Sequence, residues 1–403
     1  MACALPRIGL WRGVLGTSVF QSYGDRFLSG HVPYRDFSLE YPPGALPAFV
    51  VPSLGPARAY DAWFMGFELA CGLACVWLVA IGLARIGAPD LRLYGGVAFT
   101  ALAPLALGPL TLHRYDLWAA ALCTSGVVAL LTGRERLGFG VLGAGAAAKI
   151  FPLVLVPLAY LYVRRRSGPR AARASLVAFA AVVIVGVGPF LAAAPGGVRF
   201  SLARQTGRAL QLETLGSSVL LAVHAAPHPT FGSGSWNLEG GVPDSLAALQ
   251  TVAQLAAVAL VWVAFARSRR GPEELLLASA AAVAAWIVMG KVLSPQFLLW
   301  LVPLVALVLR RRTLAVAAAL AVALGLTHAV YPGRYDALVS LEPLPITLLA
   351  VRNAILVAIA VVLYRQSVAQ EVRAESERDG LREAVLLDGH EREGPDRVPG
   401  LEP

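Results

Sequence analysis

Lysine is almost absent: of 34 basic side chains in 403 residues, only Lys149 and Lys291 are lysine. Charge of either sign is scarce too, at 15% of the chain, where soluble domains carry about 25%. With 57% hydrophobic residues, that shortage excludes an ordinary soluble enzyme. Strict apolar-polar alternation is also missing. The apolar residues come in continuous runs near the ~20 residues that cross a bilayer as a helix, which excludes a β-barrel. Cysteine is limited to Cys3, Cys71, Cys75 and Cys123, all in or beside apolar segments. Without partnering Cys or His motifs, these read as packing residues rather than a disulfide or metal site. No phosphate-cradling GxxxxGK[ST] loop, HExxH helix or nucleophile elbow occurs, and no soluble domain is large enough to bind a nucleotide sugar. A cleavable signal is not expected, because residues 2–20 are interrupted by Arg7 and Arg12 and lack a clean cleavage site.

What is present is an all-α polytopic membrane chain with roughly 10–12 transmembrane or re-entrant helices. Residues 5–22 form a short first span broken by Arg12, and residues 23–59 a first polar loop. Residues 60–84, 94–112 and 116–131 follow as spans. The stretches 137–148 and 150–163 are each short for a crossing and meet at Lys149 and Pro152. That arrangement predicts a pair of short helices whose irregular joint lines a cavity. Spans at 172–193, 245–266, 275–289, 296–309, 314–330 and 344–364 complete a membrane domain over 1–364. Residues 195–244, rich in Gly, Pro, Ser and His, read as a long loop. From Arg365 charge rises sharply, and 365–403 read as a cytoplasmic tail with a short soluble helix and a disordered end.

The net charge of +9 could suggest nucleic acid, but the arginine excess lies in short loops, where it sets topology. Placing Arg134/Arg136, Arg164–Arg166, Arg267/Arg269/Arg270 and Arg310–Arg312 inside gives a cytoplasmic N-terminus. The loop 23–59, residues 113–116, the Lys149 joint, the loop 195–244, residues 291–296 and residues 331–343 then all fall at outer ends. One outward-facing site at the cell membrane is expected.

Candidate chemistry concentrates in 23–53, YGDRFLSGHVPYRDFSLEYPPGALPAFVVPS. Pro33, Pro42 and Pro43 bias it away from helix, so a fixed non-helical excursion is expected. Asp36 and Glu40, with Asp25 nearby, are candidate general bases, framed by Tyr34, Arg35, Phe37 and Tyr41. An ordinary polar loop is the alternative. Lys149 and Lys291, set in apolar surroundings at helix ends, suit a phosphate, with snorkelling to the interface as the alternative. Arg352 in the last span could face a ligand phosphate or pair with Glu68 or Asp61. His328 ends a span on the same side as the acids. His113, Arg114 and Asp116 could pair locally, with Asp116 at a helix N-terminus. Outward carboxylates with embedded cations suit transfer of a group from a lipid phosphate to a hydroxyl.

The motifs PYRDF-x-x-EYPPGALP, RYDLW, AAAKIFP, QTGRALQLETL at Gln205–Leu215, and GKVLSPQFLLW together resemble actinobacterial polytopic glycosyltransferases. These are of the GT-C superfamily, in the family 87 type that includes polyprenyl-phosphate-mannose-dependent mannosyltransferases. The resemblance runs from Val19 to Tyr364. It implies a GT-C fold and a polyprenyl-phosphate sugar donor with no metal or other cofactor. It further implies an inverting single displacement onto an extracytoplasmic glycolipid or polysaccharide acceptor. In that family an acid is expected shortly before the aromatic matching Phe20, where this chain has Gly16-Thr17-Ser18. The base then falls to Asp25 or the Asp36/Glu40 pair, unless the chain is a catalytically degenerate member. Lys149, Lys291, His328 and Arg352 would hold the donor phosphate, and Tyr34, Arg35, Tyr41, Arg114, Asp116 and Gln296 would contact substrate. A lipid or sugar transporter is the competing class, but no paired repeats are visible.

Overall fold

The computed structural model describes residues 16–268 and 271–392. Most of the expected first span therefore lies outside the described residues. The described residues are predominantly helical, with almost no sheet. In order, the α-helices are α1 (Ser18–Leu28), α2 (Leu46–Ser53), α3 (Tyr60–Arg85), α4 (Asp90–Leu102), α5 (Asp116–Leu131), α6 (Glu135–Ala148), α7 (Val156–Ala193) and α8 (Pro195–Thr206). Then come α9 (Leu215–Ala222), α10 (Gly241–Arg267), α11 (Pro272–Val288), α12 (Leu301–Leu307), α13 (Leu314–Val330), α14 (Tyr335–Val339) and α15 (Pro343–Arg392). The described residues contain five helical stretches long and apolar enough to cross a membrane, together with shorter apolar helices at Asp116–Leu131, Pro295–Leu307 and Leu314–Val330. The protein is an all-α polytopic membrane protein.

Burial follows from apolar distribution around each helix. Helices α5 and α11 are apolar on every side and nearly all of their residues are buried, so they form the centre. The apolar window of Phe151–Ala193 has no buried residue at all, the signature of a lipid-facing helix. Within α7, Gly168 takes a left-handed, non-helical conformation (φ 86°, ψ 173°), dividing it into two helices beside the 164–173 arginine cluster. At Lys149 the chain is extended (φ −155°, ψ 142°) between α6 and a 3₁₀ turn at Phe151–Leu155, which is the irregular joint the sequence predicts.

Three expectations need correction. The stretch 23–53 is not a wholly non-helical excursion. Helix α1 continues through Leu28, and α2 begins three residues after the Pro42-Pro43 pair, whose missing N–H groups are tolerated in a first turn. The segment 195–244 is not a structureless loop. It carries α8, α9 and a small antiparallel sheet, β1 (Leu210–Gln211), β2 (Thr230–Gly232) and β3 (Ser235–Leu238), in the order β1-β3-β2. Leu210, Leu212, Leu220, Leu221 and Leu238 bury beneath it. These leucines are spread too thinly for a periodicity to show. Last, the final span does not stop at the membrane boundary. No proline interrupts 346–392, and α15 runs unbroken to Arg392. Residues 393–403 of the expected tail lie outside the described residues.

Candidate active site

The first piece of the site is the start of α5. Asp116 is fully buried, and its Oδ1 accepts from Lys149 Nζ at 2.5 Å and from Trp300 Nε1 at 2.7 Å. Trp300 is fixed by stacking between Phe151 (centroids 4.0 Å apart) and Phe297 (4.1 Å), which aims its N–H at the carboxylate. The Lys149 ammonium also lies over the rings of Tyr115 (4.3 Å), Trp300 (5.1 Å) and Phe297 (5.3 Å), a cage that favours a desolvated cation. The second oxygen, Asp116 Oδ2, is buried with no hydrogen-bond partner among the described residues. Asp116 is the first residue of α5, at the helix N-terminus as expected, but its side chain pairs with Lys149 and Trp300, while Arg114 donates to the main-chain oxygen of His113 at 2.7 Å. Glu68, reaching in from α3, accepts there from the main-chain N–H groups of Leu117 (2.9 Å) and Trp118 (3.3 Å).

The EYPPGALP segment is wedged against this pair. A Cβ on Gly44 would sit 2.5 Å from Ala147 C and 2.6 Å from Ala148 N, so the glycine lets the first loop touch the end of α6 beside Lys149. Trp118 Nε1 donates to Gly44 O at 3.1 Å. Because the opposing atoms are backbone, Gly44→Ala is expected to cost about 1–3 kcal/mol. It should also cut activity at least severalfold, read by thermal unfolding and transfer rate together. The wedge carries Glu40 and Tyr41 into the cavity. Glu40's main-chain oxygen accepts from Gln205 Nε2 at 3.1 Å and Ser201 Oγ at 3.4 Å, both on α8, which ties the first loop to the second. Tyr34, left-handed at φ 69°, donates its hydroxyl to Tyr41 O at 2.5 Å.

The second loop supplies the remaining polar groups. Gln211 N donates to Lys291 O (3.0 Å) and Gln211 Oε1 accepts from Leu293 N (2.8 Å), so the loop is stitched to the GKVLSP segment. Arg208 Nη2 donates to Ser235 Oγ at 2.8 Å, and its buried Nε has no hydrogen-bond partner among the described residues. Lys291 Nζ donates to Thr206 O at 2.8 Å. Among the described residues neither Arg208 nor Lys291 belongs to an ion pair, and partial burial lowers the pKa of both. Glu213 is buried, and its carboxyl is pushed up to about 8 by desolvation that outweighs the nearby charges of Arg352 and Arg208.

These segments enclose one cavity of about 1050 Å³. Its polar lining includes Glu40, Arg114, Asp116, Lys149, Arg208, Glu213, Lys291 and Gln296, with Tyr34, Tyr41 and Trp236 also lining it. On one side the lining is apolar, formed by Ile150, Leu153, Phe179, Val183 and Val187. The last three lie on lipid-facing α7.

Several candidates from the sequence lie elsewhere. Asp36 is on the surface, where Arg35 (2.9 and 3.0 Å) and the main-chain N–H of Val32 (2.7 Å) hold its carboxyl down at about 2. Asp25 is exposed on α1. Neither acid lines the cavity, nor does Arg35. Arg352 is buried but meets neither Glu68 nor Asp61; its Nη2 donates to Glu213 O at 2.9 Å. Asp61 instead accepts from the Thr17 hydroxyl. His328 packs its ring against Gly108, in a kink at φ 68°, away from the cavity. Arg208, Glu213 and Trp300 were not singled out from the sequence, although each falls inside a quoted motif. Among the described residues no group of three or more His, Cys, Asp or Glu is placed to hold a metal ion.

A polytopic helical membrane protein whose cavity joins carboxylates, cations and a lipid-facing wall belongs with the membrane-embedded transferases. The family model described as glycosyltransferase family 87 matches residues 39–295, and the chain belongs to that family. It is a glycosyltransferase of the membrane. The matched segment begins one residue before Glu40 and ends at Pro295, so it includes the residues of the first loop wedge, the Asp116–Lys149 pair, the second loop and Lys291. No curated protein matches the chain.

Proposed function

We propose that the protein moves a hexose, mannose by its resemblance, from a polyprenyl-phosphate carrier to a hydroxyl of an extracytoplasmic glycolipid or glycan. The observation that carries this reading is the shared cavity. It holds a carboxylate, Glu40, and two cations, Arg208 and Lys291, that belong to no ion pair among the described residues, beside the apolar wall along α7. The cations suit a phosphate, and the wall along α7 suits a prenyl chain. Glu40 takes the proton of the acceptor hydroxyl as its oxygen bonds to sugar C1. The C1–O bond to phosphate breaks on the opposite face, inverting the anomeric centre, and its electron pair leaves on the lipid phosphate. Arg208 and Lys291 stabilise the charge growing there. Asp116, held by Lys149 and Trp300, offers its unpartnered Oδ2 to an acceptor hydroxyl. With the arginine clusters inside, the cavity opens outward from the cell membrane.

The test is reconstitution. Purified protein in vesicles with polyprenyl-phosphate-mannose, an acceptor glycolipid and EDTA should release polyprenyl phosphate and form an anomerically inverted product. A nucleotide sugar alone should give none. Arg208→Gln should raise the donor KM about tenfold or more, the scale of a lost hydrogen bond to a charged group. Passage of the lipid across the vesicle without product would replace this reading with a flippase.

A further inference from the structure

The mechanism above leaves Glu213 unused, although this carboxyl is placed more deliberately than any other in the second loop. Its main-chain oxygen is held by Arg352 Nη2 (2.9 Å) and Asn353 Nδ2 (3.2 Å), both from α15. Asn353 also donates to Thr214 O (3.1 Å) and Ser218 Oγ (2.7 Å), which ties the start of α9 to α15. Gln211 Nε2 donates to Glu213 Oε2 at 3.3 Å, and Gln211 is itself tied to the Lys291 segment. The side chain is 2% exposed and lines the cavity alongside Arg208 and Lys291. Among the described residues it forms no ion pair. An ionised carboxylate set here would repel the very phosphate that the two cations attract. A neutral one presents an O–H to it.

We propose that Glu213 donates a proton to the departing lipid phosphate. As the C1–O bond breaks, its electron pair passes to the phosphate oxygen, which takes the Glu213 proton, while the acceptor's hydroxyl proton goes to Glu40. Both carboxyls then exchange with solvent, so one proton is delivered and one removed per turnover. The inference rests on the lipid-phosphate reading of the cavity.

The groups facing Glu213 are Arg208 on its own loop, Arg352 on α15, and Tyr331 and Tyr335 between α13 and α15. Desolvation exceeds the pull of the two arginines, so the carboxyl stays protonated to about 8. The sign follows directly. Glu213 carries its proton below that value and loses it above, so transfer should fail on the alkaline side. A raised pKa of this kind also favours folding at low pH and loses that contribution as pH rises through about 8.

The experiment measures transfer by the reconstituted protein from roughly pH 6 to pH 10. For the unaltered chain, kcat should fall about tenfold per unit above the Glu213 pKa. Glu213→Gln, which keeps shape but carries no transferable proton, should lower kcat about 10²-fold, leave donor KM near normal and abolish the alkaline limb. A folded Glu213→Gln protein with unaltered kcat, or with the same alkaline limb, overturns the inference; the limb would then belong to Lys291. If Glu213→Gln does not fold, Glu213→Asp decides. A limb displaced to lower pH supports the proposal, and an unmoved one overturns it. Absence of transfer from lipid-linked sugar by the unaltered protein would instead mean that the lipid-phosphate reading has failed.

Discussion

Glu40→Gln is expected to lower sugar transfer by ~10²–10⁴-fold, the usual contribution of a positioned general base. The protein should still fold, because the segment is held by its backbone. Gln205 and Ser201 donate to the Glu40 carbonyl, not to its carboxylate, and Gly44 keeps its contact with α6. Asp36→Asn and Asp25→Asn should leave transfer within about threefold of normal, since surface substitutions away from special features are near neutral. For Asp36 there is a second reason. A carboxyl held at about 2 by Arg35 and the Val32 N–H is a weak proton acceptor at neutral pH. Assay of the three variants at saturating donor separates them. An active Glu40→Gln beside an inactive Asp36→Asn would move the base back to the surface acid.

The second large effect is on stability. Lys149→Met should destabilise the protein by about 3–5 kcal/mol, because it leaves the Asp116 carboxylate buried with Trp300 as its remaining hydrogen-bond partner among the described residues. Asp116→Asn in the same chain should return much of that loss, since a neutral amide no longer needs the ammonium. The coupling is read from a double-mutant cycle of unfolding free energies in detergent. Strict additivity of the two changes would show that the pair is not energetically linked. The double variant should be inactive because it lacks the carboxylate proposed to meet the acceptor, and Lys149→Met should lose activity because that carboxylate is no longer held by the ammonium.

Much of the membrane architecture was legible. The expected spans at 116–131 and 314–330 coincide with α5 and α13, and the break at Lys149 sits where Pro152 and the shortness of its flanking runs place it. The second loop was less so. Its strands are two to four residues long and its helices begin at Pro195 and Leu215 without an apolar repeat, so composition alone reads as loop. In the site, the EYPPGALP, RYDLW and AAAKIFP motifs all reach the cavity. The choice among acids within the first motif did not follow from them. Asp36 and Glu40 are four residues apart, but the turn at Tyr34 and the wedge at Gly44 send one outward and the other in.

The difference is physical. A helix in a bilayer must satisfy its own backbone groups within one contiguous segment, so about twenty apolar residues in a row already decide it. Hydropathy and the loop arginines therefore determined, from sequence alone, that this is a helical membrane protein, and the motifs indicated its family. Which side chains meet is decided by packing between distant segments. Asp116 finds Lys149 across 33 positions and Trp300 across 184, and Arg352 holds Glu213 across 139. No local pattern encodes those separations. Only the tertiary structure brought Glu40, Arg208, Glu213 and Lys291 to one cavity and left Asp25, Asp36 and His328 outside it.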